Sequence, residues 1–383
     1  MTRITAEWLT NPATQDVCAA LVKGGGQALF VGGCVRNTLM GLAASDIDIS
    51  TNLEPELVIK LARSAGIKAV PTGLTHGTIT LVSGGLAHEV TTFRKDISTD
   101  GRRAIVAFST RIEDDAARRD FTMNALYARP DGTVIDPLDG MADLKARRVR
   151  FIGRASDRIK EDYLRSLRYF RFHAWYGDAE AGFDPEALAA MAANLDGLTM
   201  LSRERVGAET LKLLGAPDPA PSVAAMRSTG VLGRLLVGSD DRALAPLIHI
   251  ESHVGIAPVA LRRLAALGGI EVGKTLRLSR VQIAHLDQLR KAAAGTSGPG
   301  ELGYRLKRDM ARDALMLRCA LLEQPWDDAV MDLVEVGANA RFPVRARDLM
   351  PGLTGPDLGA RLTELESAWI ASGFSLGGPE LLS

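Results

Sequence analysis

Hydrophobic and polar positions repeat with two different periods along this chain, and the change of period divides it. After an opening helix, the apolar run 27–31 stops at Gly32-Gly33, and a helical stretch starts near Val35. Asp46-Ile47-Asp48-Ile49 alternates strictly and predicts a strand. A helix from about Glu54 follows, with Thr51 or Asn52 as its cap. Three β-like runs come next, at 67–71, 76–83 and 86–93, the last two joined as a hairpin at Gly84-Gly85. The charged stretch 94–111 predicts a mobile loop. A helix over Glu113–Leu126 and a hairpin turning at Pro130-Asp131-Gly132 complete this half. From Ser156 onward the period is helical, interrupted by Pro/Gly/Ser clusters at 216–221 and 295–300, which are the candidate boundaries. The pattern predicts an α+β chain: a small β-sheet with helices, then an all-α remainder.

Composition narrows the class. A length of 383 residues implies several modules, and 46% apolar with 24% charged residues is ordinary for a globular protein. No stretch approaches the roughly 20 apolar residues of a membrane helix. The first residues, MTRITAEWLTNPATQD, lack the apolar core of a secretory leader. Cys18, Cys34 and Cys319 are too scattered for a disulfide framework or a Cys-x-x-Cys metal site, which fits a reducing, cytoplasmic setting. The net charge of zero hides an asymmetry, since residues 261–320 carry twelve Lys/Arg against five Asp/Glu. Such a segment suits a phosphate backbone, and equally a solvated helix surface.

Three constellations carry chemistry. The first is Gly32-Gly33-Cys-Val-Arg36-Asn37, followed by Ser45-Asp46-Ile47-Asp48. Alternation puts the Asp46 and Asp48 carboxylates on one face, where two hard cations relieve their repulsion and grip a triphosphate. The Gly-Gly turn before a helix brings backbone N–H groups to phosphate oxygens, and Arg36 adds a charge. The implied chemistry is two-metal phosphoryl transfer. Either feature alone is commonly an ordinary turn or a solvated strand edge; their spacing makes the pair informative. The second constellation is Arg118-Arg119-Asp120-Phe-Thr-Met-Asn124. Its arginines suit phosphates and its Asp120 and Asn124 suit ribose hydroxyls; a salt-bridged helix beside Glu113, Asp114 and Asp115 is the plainer account.

The third is Glu161-Asp162-Tyr-Leu-Arg165, opening a helix that places Asp162 and Arg165 side by side. Cytosine and adenine each present an amino donor beside a ring-nitrogen acceptor. A carboxylate accepts from the first while a guanidinium donates to the second. Uracil and guanine present the opposite order and are refused. A surface salt bridge is the alternative.

In this order the blocks GGCVRN…DID, RRDFTMNAL and EDYLRSLRYFRF resemble the class II tRNA nucleotidyltransferase and bacterial poly(A) polymerase family. The segments 76–80, 89–94, 136–144 and 202–209 resemble it too, so the likeness spans about residues 27–215. The resemblance implies a seahorse-shaped protein with a catalytic head at 1–147 and a helical neck at 148–216. A helical body at 217–298 and a tRNA-binding tail at 299–383 would follow. It implies Asp46 and Asp48 as metal carboxylates for two Mg²⁺ ions, with Glu89 a weaker third. Gly32, Gly33, Arg36, Arg118, Arg119, Asp120 and Asn124 would hold triphosphate and ribose. Asp162 and Arg165 would template the base, with Glu161 orienting Arg165. Asp136, Gly140 and Asp143 match a hinge motif, and Glu204, Arg205 and Glu209 match a motif that braces the templating helix.

The expected activity is template-independent addition and repair of the 3′-terminal CCA of tRNA from CTP and ATP, releasing pyrophosphate. The tRNA 3′ end and acceptor/T-arm are the expected partner, with no membrane and no obligate protein partner. A poly(A) polymerase and partial enzymes adding only CC or only A are the rivals within the family; a non-catalytic RNA-binding relative is a rival outside it. In CC-restricted members the loop after the 89–94 strand is disrupted, whereas here it carries Asp100-Gly101-Arg102-Arg103. One departure stands out: the family's GGxVRD turn has Asn37 here, which keeps an acceptor and loses a charge.

Overall fold

The computed structural model describes residues 2–44, 46–99, 104–350 and 352–383. Ser45 and the Asp100–Arg103 tetrad therefore lie outside the described residues. The chain forms two compact units, one of Met1–Leu213 with Pro221–Leu235, the other of Leu214–Ala220 with Leu236–Ser383. The chain thus passes between them three times.

The first unit opens with short helices α1 (Glu7–Thr10) and α2 (Pro12–Lys23). Strand β1 (Leu29–Val31), helix α3 (Gly33–Leu39), strand β2 (Asp48–Thr51) and helix α4 (Pro55–Ser64) follow. Strands β3 (Lys68–Gly73), β4 (Thr78–Ser83) and β5 (Leu86–Thr92) come next, and later β8 (Tyr127–Ala128) and β9 (Val134–Ile135). Together they make a seven-stranded sheet ordered β3-β4-β5-β2-β1-β8-β9. β2 runs parallel to β5 and antiparallel to β1, in a register that sets Asp48 opposite Glu89. The strand begins at Asp48, so Asp46 precedes it, although the Glu89 amide still reaches the Ile47 carbonyl (3.3 Å). Alternation sorts the faces. Phe30 meets Trp8 on one side of β1, whereas Leu29 and Val31 join Phe93, Ala116, Ala125 and Tyr127 in a buried cluster.

Two expectations fail here. The stretch 94–111 includes a paired ribbon of β6 (Arg94–Thr99) and β7 (Ala104–Phe108). The helix expected over 113–126 stops early, as α5 (Ile112–Ala117), and resumes only as a 3₁₀ turn at Thr122–Asn124. Tertiary packing overrides helical propensity at this point. Phe121 adopts an extended conformation and bridges to Phe151. Its ring is fully buried among Phe151, Tyr169 and Phe172. Burying a ring of that size contributes on the order of 2–3 kcal/mol, more than the helical turn it interrupts.

After α6 (Gly140–Lys145) the unit is helical, through α7 (Ala155–Glu161), α8 (Leu164–Tyr176), α9 (Pro185–Ala192), α10 (Arg203–Leu214), α11 (Ala220–Ser228) and α12 (Val231–Leu235). The second unit is all-helical: α13 (Leu244–Val254), α14 (Ala260–Leu267), α15 (Val272–Thr275), α16 (Arg280–Ala294), α17 (Pro299–Leu321), α18 (Val330–Asn339), α19 (Gly355–Ala371) and α20 (Gly378–Leu382). The expected break at 295–300 separates α16 from α17 inside this unit. Among the described residues no helix is long and apolar enough to cross a membrane.

The basic segment 261–320 is also reinterpreted. Arg262 and Arg263 are 1% exposed and bind Glu251, with Asp313 also on Arg262. Arg290 and Arg318 donate to backbone carbonyls. Arg305, Arg308 and Arg312 pair with carboxylates. These seven of the twelve cations thus have partners within the unit, and Glu251, Glu335 and Glu366 from outside the segment offset part of its excess charge.

Candidate active site

Strand β1 delivers the chain to Gly32, whose φ of 70° and ψ of −123° only glycine adopts without strain. Helix α3 starts at the next residue, so its N-terminal amides face a cavity of about 350 Å³. Gly32, Gly33, Arg36 and Asp48 form one wall; Arg119, Asp120 and Asn124 form another; Asp162 and Arg165 close it. Residues 130 positions apart in sequence meet here. Arg168 and Phe172, one and two turns beyond Arg165 on α8, complete the lining and were not foreseen.

Burial raises the Asp48 carboxyl to about 6, with Glu89 and Asp46 adding negative charge and Arg119 opposing them. Crowded carboxylates at the end of a strand are a donor set suited to a hard divalent cation. Among the described residues no cluster of three or more His, Cys, Asp or Glu could enclose a metal alone. Phosphate oxygens would therefore have to complete the coordination around Asp46 and Asp48.

Arg119 is held from behind. Asp115 accepts from its Nη2 (3.0 Å) and from the Tyr127 hydroxyl (2.7 Å), while Tyr127 also accepts from Arg119 Nε (3.1 Å). Burial favours a neutral Arg119, but Asp115 and Tyr127 outweigh it and raise its pKa. Asp115 makes the i,i+4 salt bridge that the plainer account expected, and because it is buried that bridge orients Arg119. Arg118 and Arg119 are pinned by their carbonyls, which both accept from Arg158 Nη2 (2.6 Å each). Arg158 is another residue that periodicity did not single out.

Asp120 and Asn124 do not share a helix face, because the helix has broken, yet Asn124 Nδ2 donates to Asp120 Oδ1 (2.8 Å). Burial pushes Asp120 up, but the Arg168 charge and donors from Asn124, Arg168 and the Phe121 amide bring it down to about 2.

The base-reading pair is arranged differently from the expectation. Asp162 lies in an extended break (φ −154°, ψ 105°) between α7 and α8, not within one helix. Asp162 pairs with Arg205 Nη2 (2.6 Å), and Arg165 Nη1 donates to Glu161 (2.5 Å) and to the Arg158 carbonyl (3.0 Å). The surface salt bridge between Asp162 and Arg165 does not form; each is oriented by another neighbour, and both line the cavity.

The remaining residues support this frame. Asp136 caps α6 through the amides of Gly140 (2.8 Å) and Met141 (2.9 Å). A Cβ on Gly140 would fall 2.4 Å from the Thr122 carbonyl oxygen, so only glycine allows that approach. Fully buried Asp143 accepts from Thr122 Oγ1 (2.7 Å), Arg148 and Arg150. On α10, Arg205 reaches Asp162 and Glu209 accepts from Arg171 (2.5 Å), while Glu204 is exposed.

Residues 28–150 match the family described as poly A polymerase head domain. Residues 182–240 match the family described as probable RNA and SrmB-binding site of polymerase A. The chain is 33% identical to the mitochondrial CCA tRNA nucleotidyltransferase 1 of Mus musculus, over 92% of this chain and 85% of that one. It is 32% identical to the Homo sapiens protein of the same name, over 98% and 90%. A Bacillus stearothermophilus CCA-adding enzyme solved in complex with CTP superposes with a TM-score of 0.70 at 27% identity, over 95% of this chain and 94% of that one.

Proposed function

The chain belongs to the CCA tRNA nucleotidyltransferase and poly(A) polymerase family and adds the 3′-terminal CCA of tRNA from CTP and ATP; on that premise we propose that the cavity between β2 and α8 is where it does so. The observation that carries the assignment is one cavity gathering a Gly-Gly phosphate turn, a strand-end carboxylate, a ribose-sized polar pair and an Asp/Arg pair.

The triphosphate lies against the α3 amides and Arg119, and its ribose against Asp120 and Asn124. Asp46 and Asp48 would hold two Mg²⁺ ions, a role the raised Asp48 carboxyl fits. Ions held there would supply a charge that activates the attacking 3′-hydroxyl and offsets that of the departing pyrophosphate. The 3′-hydroxyl of tRNA bonds to the α-phosphorus, and the bond to the β-phosphate oxygen breaks. Asp162 accepts the amino group of C or A, and Arg165 donates to the ring nitrogen beside it. Glu161 and Arg205 fix these two side chains before a base arrives. That preorganisation gives selectivity without a nucleic-acid template, because the cost of ordering is already met.

We assign residues 1–147 to the head and 148–216 to the neck. Residues 217–383 serve as body and tail, which take the acceptor and T-arm of tRNA. We place the protein in a reducing compartment, the cytoplasm on the sequence reading, where Cys18, Cys34 and Cys319 stay as thiols.

Incubation with tRNA lacking CCA, plus CTP alone, ATP alone and both, tests the reading by product length. Two nucleotides from CTP, and three when both are present, are expected. A long ladder from ATP alone would replace it with poly(A) synthesis.

A further inference from the structure

Arg36 reads from sequence as a phosphate ligand, yet the structure commits most of it elsewhere. Its Nη1 donates to Asn124 Oδ1 (2.5 Å), and its Nη2 donates to the Tyr176 hydroxyl (2.8 Å) and to Asn37 Oδ1 (2.8 Å). Its Nε donates to Asn37 Oδ1 as well (3.1 Å). The guanidinium carbon sits 4.0 Å from the Tyr176 ring centroid and 5.1 Å from that of Phe172. A guanidinium has five N–H groups, so these four donations leave one for a ligand.

Tyr176 is the last residue of α8, the helix that carries Arg165 near its start. It does not line the cavity. Its hydroxyl and ring fix the plane of Arg36, and Arg36 in turn fixes Asn124. An asparagine amide can face either way, but here Arg36 donates on one side and Asp120 accepts on the other (2.8 Å). Only one orientation satisfies both, and it leaves the second Nδ2–H of Asn124 for a ligand.

We propose that Tyr176 is a positioning residue for nucleotide binding, acting through Arg36 to set the Asn124 amide and to tie the phosphate turn to the base-reading helix. Asn37 and Tyr176, which hold Arg36 beside its bond to Asn124, are chemically consistent with this role. Asn37, where the family has a carboxylate, accepts from Arg36 without cancelling its charge, and its Nδ2 donates to the Ala43 carbonyl (2.9 Å), in the segment that leads to Asp46. Tyr176 is neutral too. Neither holder brings a formal negative charge of its own, while burial lowers the Arg36 pKa and the Asp120 carboxylate opposes that from nearby. Because Asn124 meets the nucleotide before and during reaction alike, loosening it weakens binding and spares turnover.

The proposal rests on the cavity being the nucleotide site. Its test measures KM and active-site-titrated kcat for CTP on tRNA lacking CCA, and for ATP on tRNA ending in CC. Melting temperatures are recorded alongside. Tyr176→Phe keeps the ring and loses one hydrogen bond to a charged donor, so KM should rise about three- to five-fold for both nucleotides. Tyr176→Ala loses the ring as well and should raise both by roughly ten- to thirty-fold, with kcat within about two-fold. In an Arg36→Lys background the Tyr176→Ala effect should shrink to near unity.

Unchanged KM values in Tyr176→Phe and Tyr176→Ala, whatever the melting temperature, overturn the proposal. So does a rise confined to one nucleotide, or a full effect that persists with Lys at position 36. If Tyr176→Ala does not fold, Tyr176→Phe decides alone. Asp48→Asn serves as the separate control. Its retained incorporation would remove the cavity assignment itself, whereas its inactivity beside silent Tyr176 variants removes only the role of Tyr176.

Discussion

Each unit holds a cluster of arginines and carboxylates, buried in the second unit and mostly half-buried in the first, and the two are finished to different degrees. In the second unit Glu251 binds Arg262 Nε (2.7 Å) and Arg263 Nε (2.9 Å), and Asp313 binds Arg262 Nη1 (3.0 Å). The rest of Arg263 goes to the carbonyls of Leu214, Ala216 and Pro217, and its Nη2 also lies 2.8 Å from a Glu251 oxygen. In the first unit Asp162, Arg165, Asp120 and Arg168 are also gripped by neighbours, but each keeps a side on a cavity. Buried charge by itself is therefore no mark of function. Unspent hydrogen-bonding capacity facing an open volume is.

The comparison breaks most readily at Asp48. Asp48→Ala should lower incorporation of both CTP and ATP by more than about 1000-fold, while tRNA retention on a filter changes little. Retained turnover would sink the carboxylate assignment. Glu251→Ala is the mirror experiment. Leaving two arginines buried without their acid should cost about 3–5 kcal/mol of stability, read from denaturant midpoints. The folded fraction should keep its nucleotide KM, and a changed KM at unchanged stability would erase the distinction between the clusters.

Smaller effects sharpen the contrast. Arg165→Ala should raise misincorporation of UTP or GTP by roughly 10- to 100-fold, and unaltered discrimination would end its base-reading role. Asp120 titrates near 2 when folded, below its usual value of about 3.9, so it contributes about 2 kcal/mol of stability above roughly pH 4. That contribution disappears as pH falls through about 2. The stability gap between wild type and Asp120→Asn should close over the same interval in acid unfolding. Last, Arg280→Gln with Lys291→Gln, both exposed, should leave the salt slope of tRNA binding within about 0.5 of wild type, where two phosphate contacts would be worth about 1.8. A larger change would return weight to the 261–320 segment as an RNA surface.

Much of the site was legible because local rules govern it. The alternating Asp46–Ile49 run makes Asp48 readable, although Asp46 lies ahead of the strand, and a Gly-Gly turn before a helix announces Gly32. Asp115, Arg158, Arg168, Phe172 and Tyr176 were not legible. Apart from Asp115, whose partners Arg119 and Tyr127 are near in sequence, each acts through a distant partner, as Arg158 does on carbonyls some 40 positions earlier. The helix expected over 113–126 failed for the same reason, since an aromatic core containing Phe151 and Tyr169 draws Phe121 out of it. The basic segment stayed open between its two readings because composition counts charges and cannot count their partners.

The threefold passage of the chain between its units bears on how the molecule can be made and altered. A growing polypeptide cannot finish its first unit until Pro221–Leu235 has left the ribosome, although the whole cavity lining is already synthesised by Phe172. Cutting at residue 213 leaves that unit short of its last two helices. For the same reason, one recombination point cannot exchange a complete unit for that of a relative. Three junctions would have to move together, a constraint that favours inheritance of the two units as one piece.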